Sequence, residues 1–230
     1  MKPTHSIIFA LATVFLAGCA SSSFMYKDIP VSKGSAEAGT GKTVAYRGSP
    51  LKLDGTPIKV GDTLRDAKLA TGDLKLVSLT EGKGRVRIVS IVPSLDTKVC
   101  EQQTHYLSEK NRGLDQHIQL ITVSVDTPFA QNRFAEEAKI RNVTFLSDYR
   151  GGDFGRAYGL LVADPHLLAR SVMVVDKDNV VRYLQVVPEL ASMPDMERAF
   201  EEARKVAGLP SPASAMPSAS GSMGGGYGGY

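Results

Sequence analysis

One cysteine stands where a thiol becomes reactive. Cys100 follows the β-branched run at residues 85–92 and the segment PSLDTKV at residues 93–99. This order predicts a buried strand, a turn and a helix that begins just after Thr97, with Cys100 in the first helical turn. Unpaired backbone N–H groups and the helix dipole favour thiolate over thiol there, and Lys98 adds positive charge. The position favours a nucleophilic cysteine, although a lone core cysteine is commonly a small apolar packing residue.

The spacing around this cysteine excludes two kinds of chemistry. Disulfide exchange by an internal pair needs two cysteines separated by two residues, and Thr97 occupies the first of those positions. A cysteine hydrolase needs a histidine base within hydrogen-bond reach of the thiol. His105 lies five residues after Cys100, which is about 140° around a helix with ~3.6 residues per turn. His117 and His166 lie next to predicted strands, so we interpret all three histidines as surface or structural residues.

The elements that position Cys100 follow an alternating order. Strands are predicted at residues 74–79, 85–92, 118–125 and 143–146, and helices at residues 99–111, 128–140 and 153–158. A hairpin over residues 170–187 and an amphipathic helix over residues 193–207 close the domain, and a smaller hairpin over residues 43–59 opens it. This order predicts an α/β fold with a mixed central sheet and flanking helices, confined to residues 43–208.

The beginning of the chain predicts export and lipidation. Residues 1–18 hold Lys2 and a short apolar run, which falls below the ~20 residues of a membrane span and is typical of a signal peptide. The segment LAGC ending at Cys19 resembles the lipobox of bacterial lipoproteins, in which the chain is cleaved before the cysteine and the cysteine is acylated. The resemblance implies anchoring in the cell envelope, in the outer membrane facing the periplasm. The alternative is an ordinary secretory signal with a chance cysteine.

Two polar segments flank the predicted domain. Residues 19–42, which begin at the lipidated cysteine, are rich in Ser, Gly, Ala and Lys and predict a flexible tether. Residues 209–230 are Pro, Ser, Ala, Gly and Tyr without charge and predict a disordered tail.

Composition excludes several other functions. The 230 residues carry a net charge of +3 without a block of like charges, so no nucleic-acid partner is expected. The two cysteines are too few for a disulfide-rich scaffold or a cysteine zinc site, and we expect no metal and no cofactor.

Several motifs resemble one family. The pattern PxxxTxxC, formed by Pro93, Thr97 and Cys100, resembles the active-site signature of peroxiredoxins. The segments SVDTPFAQNRF (124–134), RNVTFLSDYRGGDFGRAYGL (141–160) and LARSVMVVDKDN (168–179) resemble the thiol peroxidase subfamily. The resemblance covers residues 43–207 and implies a thioredoxin-like fold with an N-terminal hairpin, often as an isologous homodimer.

The resemblance also implies roles for four residues. Cys100 attacks the O–O bond of a hydroperoxide and becomes a sulfenic acid, while water or an alcohol leaves. Thr97 hydrogen-bonds thiolate and peroxide, and Pro93 shields the sulfur from water. Arg170 holds both the thiolate and the polarising peroxide; the alternative for this arginine is a structural salt bridge.

Two further residues are candidates for substrate binding. Arg133, within PFAQNRF, is a second arginine that could lie near the site. Phe129 could line an apolar approach that favours alkyl peroxides, with ordinary core packing as the alternative.

The expected function is a membrane-anchored, one-cysteine peroxidase for hydrogen peroxide and alkyl hydroperoxides. Family members usually carry a second, resolving cysteine, whereas an acylated Cys19 would leave Cys100 as the single thiol. The sulfenic acid would then need an external thiol reductant, either a thioredoxin-like protein or a small thiol. The alternatives are a non-catalytic thioredoxin-fold binding module of the envelope and a peroxide sensor that forms mixed disulfides.

Overall fold

The computed structural model describes residues 24–211. The predicted signal peptide, the lipidation site Cys19 and residues 212–230 of the predicted tail lie outside the described residues. Within residues 24–211, no helix is both long enough and apolar enough to cross a membrane.

The described chain forms a mixed α/β fold. Its strands are β1 (Thr43–Tyr46), β2 (Ser49–Asp54), β3 (Lys68–Ala70), β4 (Leu76–Ser78), β5 (Arg87–Ile91), β6 (Gln119–Ser124), β7 (Val143–Ser147), β8 (Leu161–Val162), β9 (Leu167–Leu168), β10 (Ser171–Val175) and β11 (Val181–Val186). Its α-helices are α1 (Lys98–Glu109), α2 (Pro128–Glu137), α3 (Asp153–Tyr158) and α4 (Met196–Ala207). The predicted α/β class is confirmed.

A seven-stranded sheet forms the centre, in the order β11-β10-β5-β6-β7-β3-β4. Strands β5, β6 and β7 are parallel, and β10 runs antiparallel to β5 on its other side. Every residue of β5 is buried, as expected for an apolar, β-branched strand covered on both faces. A smaller sheet, β1-β2-β8-β9, contains the predicted N-terminal hairpin.

Alternate side chains of the central strands enter two cores. On β5, Ile88 belongs to the same core as Leu107 of α1 and Phe200 of α4, whereas Val89 belongs to the core that contains Phe154 of α3. Because side chains along a strand alternate between faces, one strand contributes to both layers. The sheet is therefore rigid behind the end of β5, where α1 begins.

The ends of the helices agree with their sequences. Thr97 caps α1, and Thr127 caps α2 with Pro128 at its first turn. Each threonine oxygen accepts a backbone N–H that the helix leaves unpaired. The structure adds β3, β8, β9 and two short 3-10 helices, all too short for a periodic pattern.

The prediction of a flexible tether is wrong for residues 24–42. The backbone N–H of Ser32 donates to Met193 at 2.8 Å, and that of Ala36 donates to Val186 at 2.8 Å. Such main-chain bonds to exposed edges depend little on side-chain type, so composition did not reveal them. We call residues 24–36 the N-terminal strap; the folded domain begins there and not at residue 43.

Candidate active site

Cys100 lies at the bottom of the strand-to-helix turn and is completely buried. It is the third residue of α1, and its backbone N–H donates to the Thr97 side chain over 3.4 Å. The thiol therefore lies at the positive end of the helix dipole, as predicted. Thr97 itself is exposed and lies at the mouth of the site.

Arg170 reaches the sulfur from the neighbouring strand. Ser171 of β10 pairs with Ile91 of β5, so Arg170 lies beside the segment that leads from β5 to Cys100. Its Nη2 donates to Cys100 Sγ over 3.3 Å, and its Nε donates to the Leu190 carbonyl over 2.9 Å. Its partners are the Cys100 sulfur, a backbone carbonyl and an amide oxygen, and none of these three is the carboxylate that a structural salt bridge requires. Arg170 is 2% exposed, and its charge is therefore little screened by water.

Gln103 fixes the orientation of this guanidinium. Its Oε1 accepts from Arg170 Nη1 at 2.7 Å, and its Nε2 donates to Ser90 Oγ at 2.8 Å. The sequence analysis did not identify Gln103. The available signal is its spacing, because residues i and i+3 of a helix share a face and place Gln103 next to Cys100.

Asp126 fixes the loop before α1. Its carboxylate accepts from the Ser94 hydroxyl at 2.8 Å and from the Leu95 backbone N–H at 2.7 Å. Strands β5 and β6 are parallel, so the residues that follow them meet at one edge of the sheet. That topology is the signal from which a role for Asp126 could have been predicted.

A groove of about 870 Å³ leads from the surface to this site. Pro93 is buried in its wall, next to Thr97 and Arg170. Three basic side chains border it further out: Lys27, Arg47 and Lys98. Its apolar lining comes from the smaller sheet, the loop after β11 and the strap: Ile29, Pro30, Tyr46, Leu51, Leu167 and Leu190. The groove therefore suits a substrate with an apolar body.

The structure leaves the two predicted substrate-binding residues of α2 outside this groove. Phe129 is 67% exposed, and Arg133 is exposed with its Nε 3.9 Å from a Glu137 oxygen. The buried positions of α2 are Pro128 and Gln131. At ~3.6 residues per turn, Phe129 and Arg133 are rotated away from that buried face. The structure therefore places both side chains away from the groove, and their contact with substrate stays a prediction.

The histidine interpretation fits the structure at His105. Its Nδ1 lies 2.7 Å from a Glu109 oxygen, and its ring stacks on Phe24 with centroids 3.8 Å apart. Neither contact involves Cys100. Within residues 24–211, no group of three or more potential metal ligands comes together.

Cysteine-based redox enzymes stabilise a reactive thiolate with a neighbouring cation and a helix N-terminus, and Cys100 has both beside it. The Redoxin family matches residues 59–200. The chain is 40% identical over 162 residues to the thiol peroxidase of Halalkalibacterium halodurans, covering 70% of this chain and 97% of that protein. It is 41% identical over 161 residues to the thiol peroxidase of Streptococcus pneumoniae R6, covering 70% and 98%. The chain belongs to the thiol peroxidase family of peroxiredoxins.

Solved structures agree with this assignment. A peroxiredoxin-like protein from Aquifex aeolicus superposes with a TM-score of 0.67 at 36% identity, covering 73% of this chain and 99% of that one. The thiol peroxidase of Chromobacterium violaceum shares the fold, with a TM-score of 0.61 at 24% identity over 71% and 97% of the two chains. The predicted thioredoxin-like fold and the predicted thiol-dependent peroxidase class are therefore confirmed.

Proposed function

We propose that this protein is a membrane-anchored, one-cysteine thiol peroxidase that reduces hydrogen peroxide and alkyl hydroperoxides at Cys100. The observation that carries the proposal is the 3.3 Å hydrogen bond from Arg170 to Cys100 Sγ at the beginning of α1. A non-catalytic binding module would need neither this contact nor the polar network behind it.

The first step oxidises the sulfur. The Cys100 thiolate attacks the terminal oxygen of R–O–OH, an S–O bond forms, and the O–O bond breaks. The products are the Cys100 sulfenic acid and RO⁻, which takes a proton from solvent and leaves as water or an alcohol. Negative charge moves from the sulfur to the leaving oxygen. Hydrogen-bond donors fixed near each of these two atoms therefore stabilise the transition state. Arg170 supplies such donors, and Pro93 helps to exclude water.

The second step needs an external reductant. Cys100 is the single cysteine within residues 24–211, and Cys19 is the one other cysteine of the sequence. The sulfenic acid therefore reacts with one external thiol to give a mixed disulfide and water. A second external thiol then releases the Cys100 thiol and a disulfide.

The proposed location rests on the LAGC segment ending at Cys19. Acylation at the sulfur and at the new amine would supply two or more chains, which hold a protein on a membrane where a single chain does not. We place the enzyme in the bacterial cell envelope, in the outer membrane facing the periplasm. Four residues lie between Cys19 and Phe24, where the strap begins, so the anchor would hold the domain close to the bilayer.

Single-turnover kinetics test the catalytic part of this proposal. The chain from Ala20 onward is mixed with one equivalent of hydrogen peroxide or cumene hydroperoxide and followed by stopped-flow fluorescence and intact mass. We expect the mass of one added oxygen, trapped by dimedone, at a rate far above that of free cysteine. Cys100→Ser is the control. A rate no better than that of a free thiol would rule out the peroxidase, and sulfenate formation without turnover on any thiol would favour the sensor.

Fractionation of cells that express the full chain tests the anchor. We expect the wild-type protein in the membrane fraction, with acyl chains on its N-terminal peptide by mass spectrometry. Cys19→Ser should leave a soluble or uncleaved protein. A wild-type protein that is soluble in the periplasm would contradict the lipidation.

A further inference from the structure

The N-terminal strap binds α1, the helix that carries Cys100. Gln102 holds the backbone of Lys27 at both ends: Oε1 accepts from its N–H at 2.7 Å, and Nε2 donates to its carbonyl at 2.9 Å. Phe24 stacks on His105, with an angle of 14° between the rings. Tyr26 donates from its hydroxyl to Glu109 and packs edge-on against Tyr106. The contacted residues of α1 lie three or four positions apart and therefore share one side of the helix: Gln102, His105, Tyr106 and Glu109.

The same strap forms one wall of the active-site groove. Residues 27–30 line the groove together with Leu51 and Leu167 of the smaller sheet. Gln185 also binds the strap further along: its Nε2 donates to the backbone carbonyls of Ser32 and Gly34, at 2.9 Å each. Two glutamines therefore hold the strap segment that lines the groove: Gln102 of α1 binds it at Lys27, and Gln185 of β11 binds it at Ser32 and Gly34.

The strap limits which thiols can react with the Cys100 sulfenic acid. A disulfide places its two Cα atoms about 4.4–6.8 Å apart, so a protein thiol must bring its own backbone next to that of Cys100. Cys100 is wholly buried, and such an approach needs the first turn of α1 to open. The strap opposes this opening of α1, because Gln102 lies two residues after Cys100 and is hydrogen-bonded to the backbone of Lys27. A small thiol brings no backbone, and the groove leads it to Arg170, whose guanidinium contacts the sulfur.

We propose that the N-terminal strap selects the reductant, admitting small-molecule thiols to the Cys100 sulfenic acid and excluding protein thiols. This inference rests on the proposed function. One small thiol, RSH, converts Cys100–SOH to the mixed disulfide Cys100–S–S–R with loss of water. A second RSH releases the Cys100 thiol and forms RSSR.

The test compares two reductants on two glutamine variants. The chain from Ala20 onward is oxidised with one equivalent of peroxide, and decay of the sulfenic acid is timed with 2-mercaptoethanol or with reduced thioredoxin. In the wild type we expect reduction by the small thiol and little by thioredoxin. Gln102→Ala frees the strap from α1, and we expect about a tenfold faster reaction with thioredoxin and an unchanged one with 2-mercaptoethanol. Gln185→Ala is the matched control, since it loosens the strap at β11 and leaves the clamp on α1.

Hydrogen exchange supplies a second readout. The backbone amides of residues 100–105 should exchange faster in Gln102→Ala than in the wild type, while those of β5 stay protected. Rapid reduction of the intact protein by thioredoxin, or no gain from Gln102→Ala despite faster exchange, would overturn the inference. Failure of the peroxidase itself is distinguishable, because no sulfenic acid would form in the first step.

Discussion

Gln103 and Arg170 form a buried pair whose geometry determines where the guanidinium points. Oxygen Oε1 of Gln103 accepts from Nη1 at 2.7 Å, which leaves Nη2 directed at Cys100 Sγ, 3.3 Å away. Gln103 is itself fixed by its bond to Ser90 in β5. The rigid sheet thus orients the arginine through one amide, and the arginine is ready before substrate arrives.

Removing that amide should slow the reaction with peroxide. In Gln103→Met the side chain keeps its approximate volume but loses its three hydrogen bonds, to Arg170, Ser90 and the Ser171 carbonyl, so Arg170 is free to turn. We expect the second-order rate constant for Cys100 oxidation to fall about tenfold, the equivalent of one hydrogen bond of roughly 1.4 kcal/mol. Stopped-flow kinetics with hydrogen peroxide measures it. Gln103→Glu restores an acceptor and should recover part of the rate; equal losses in both variants would show that Gln103 only fills space.

Substituting the arginine itself should have a larger effect. Arg170→Lys keeps one positive charge but cannot contact Cys100, Gln103 and Leu190 together, because an ammonium lacks the planar fork. We expect the oxidation rate to fall about 10²–10³-fold, as for loss of a transition-state donor. Arg133→Lys on the exposed face of α2 is the matched control and should react as the wild type does. A lower rate of Cys100 oxidation in Arg133→Lys would show that Arg133 does act in the reaction.

Thr97 combines a structural and a chemical role that two substitutions can separate. Its hydroxyl oxygen caps α1 by accepting from the Cys100 N–H at 3.4 Å. Thr97→Val removes the cap, and we expect a loss of about 1 kcal/mol in the free energy of unfolding as well as slower peroxide reduction. Thr97→Ser retains the hydroxyl and should preserve both. Urea unfolding and single-turnover kinetics measure the two effects, and full activity in Thr97→Val would contradict the role expected from the family.

The sequence predicted the site where local signals were strong. The strand at residues 85–92, the cap Thr97 and the motif of Cys100 gave the turn, and the family resemblance gave Arg170, 70 residues further along the chain. Gln103 and Asp126 carry no motif of their own, and their roles depend on which strands are neighbours. The strap was missed because it is bound through main-chain groups, which composition does not report. The motif alone does not tell which face of α2 is buried, so the exposed positions of Phe129 and Arg133 could not be predicted from it.

Asp148 should make the stability of the fold depend on pH. Burial raises the pKa of this carboxyl, partly offset by backbone N–H bonds from Gly155 at 2.8 Å and Phe154 at 3.0 Å. At a pH between the ordinary pKa of an aspartate and this raised pKa, the native state keeps a proton on Asp148 that the unfolded chain releases. Between the ordinary pKa of an aspartate and this raised value, stability due to Asp148 falls as pH rises, and the loss is complete above the raised value.

The variant Asp148→Asn removes this titration. We expect the difference in free energy of unfolding between wild type and Asp148→Asn to shift against the wild type as pH rises through that acidic window, and to be constant above it. Urea unfolding at a series of pH values measures the difference, with Asp164→Asn as the exposed control. Curves for wild type and Asp148→Asn that stay parallel from acidic to neutral pH would show that burial does not raise the pKa of this carboxyl. A slope of opposite sign would mean that the two N–H bonds at the beginning of α3 outweigh burial.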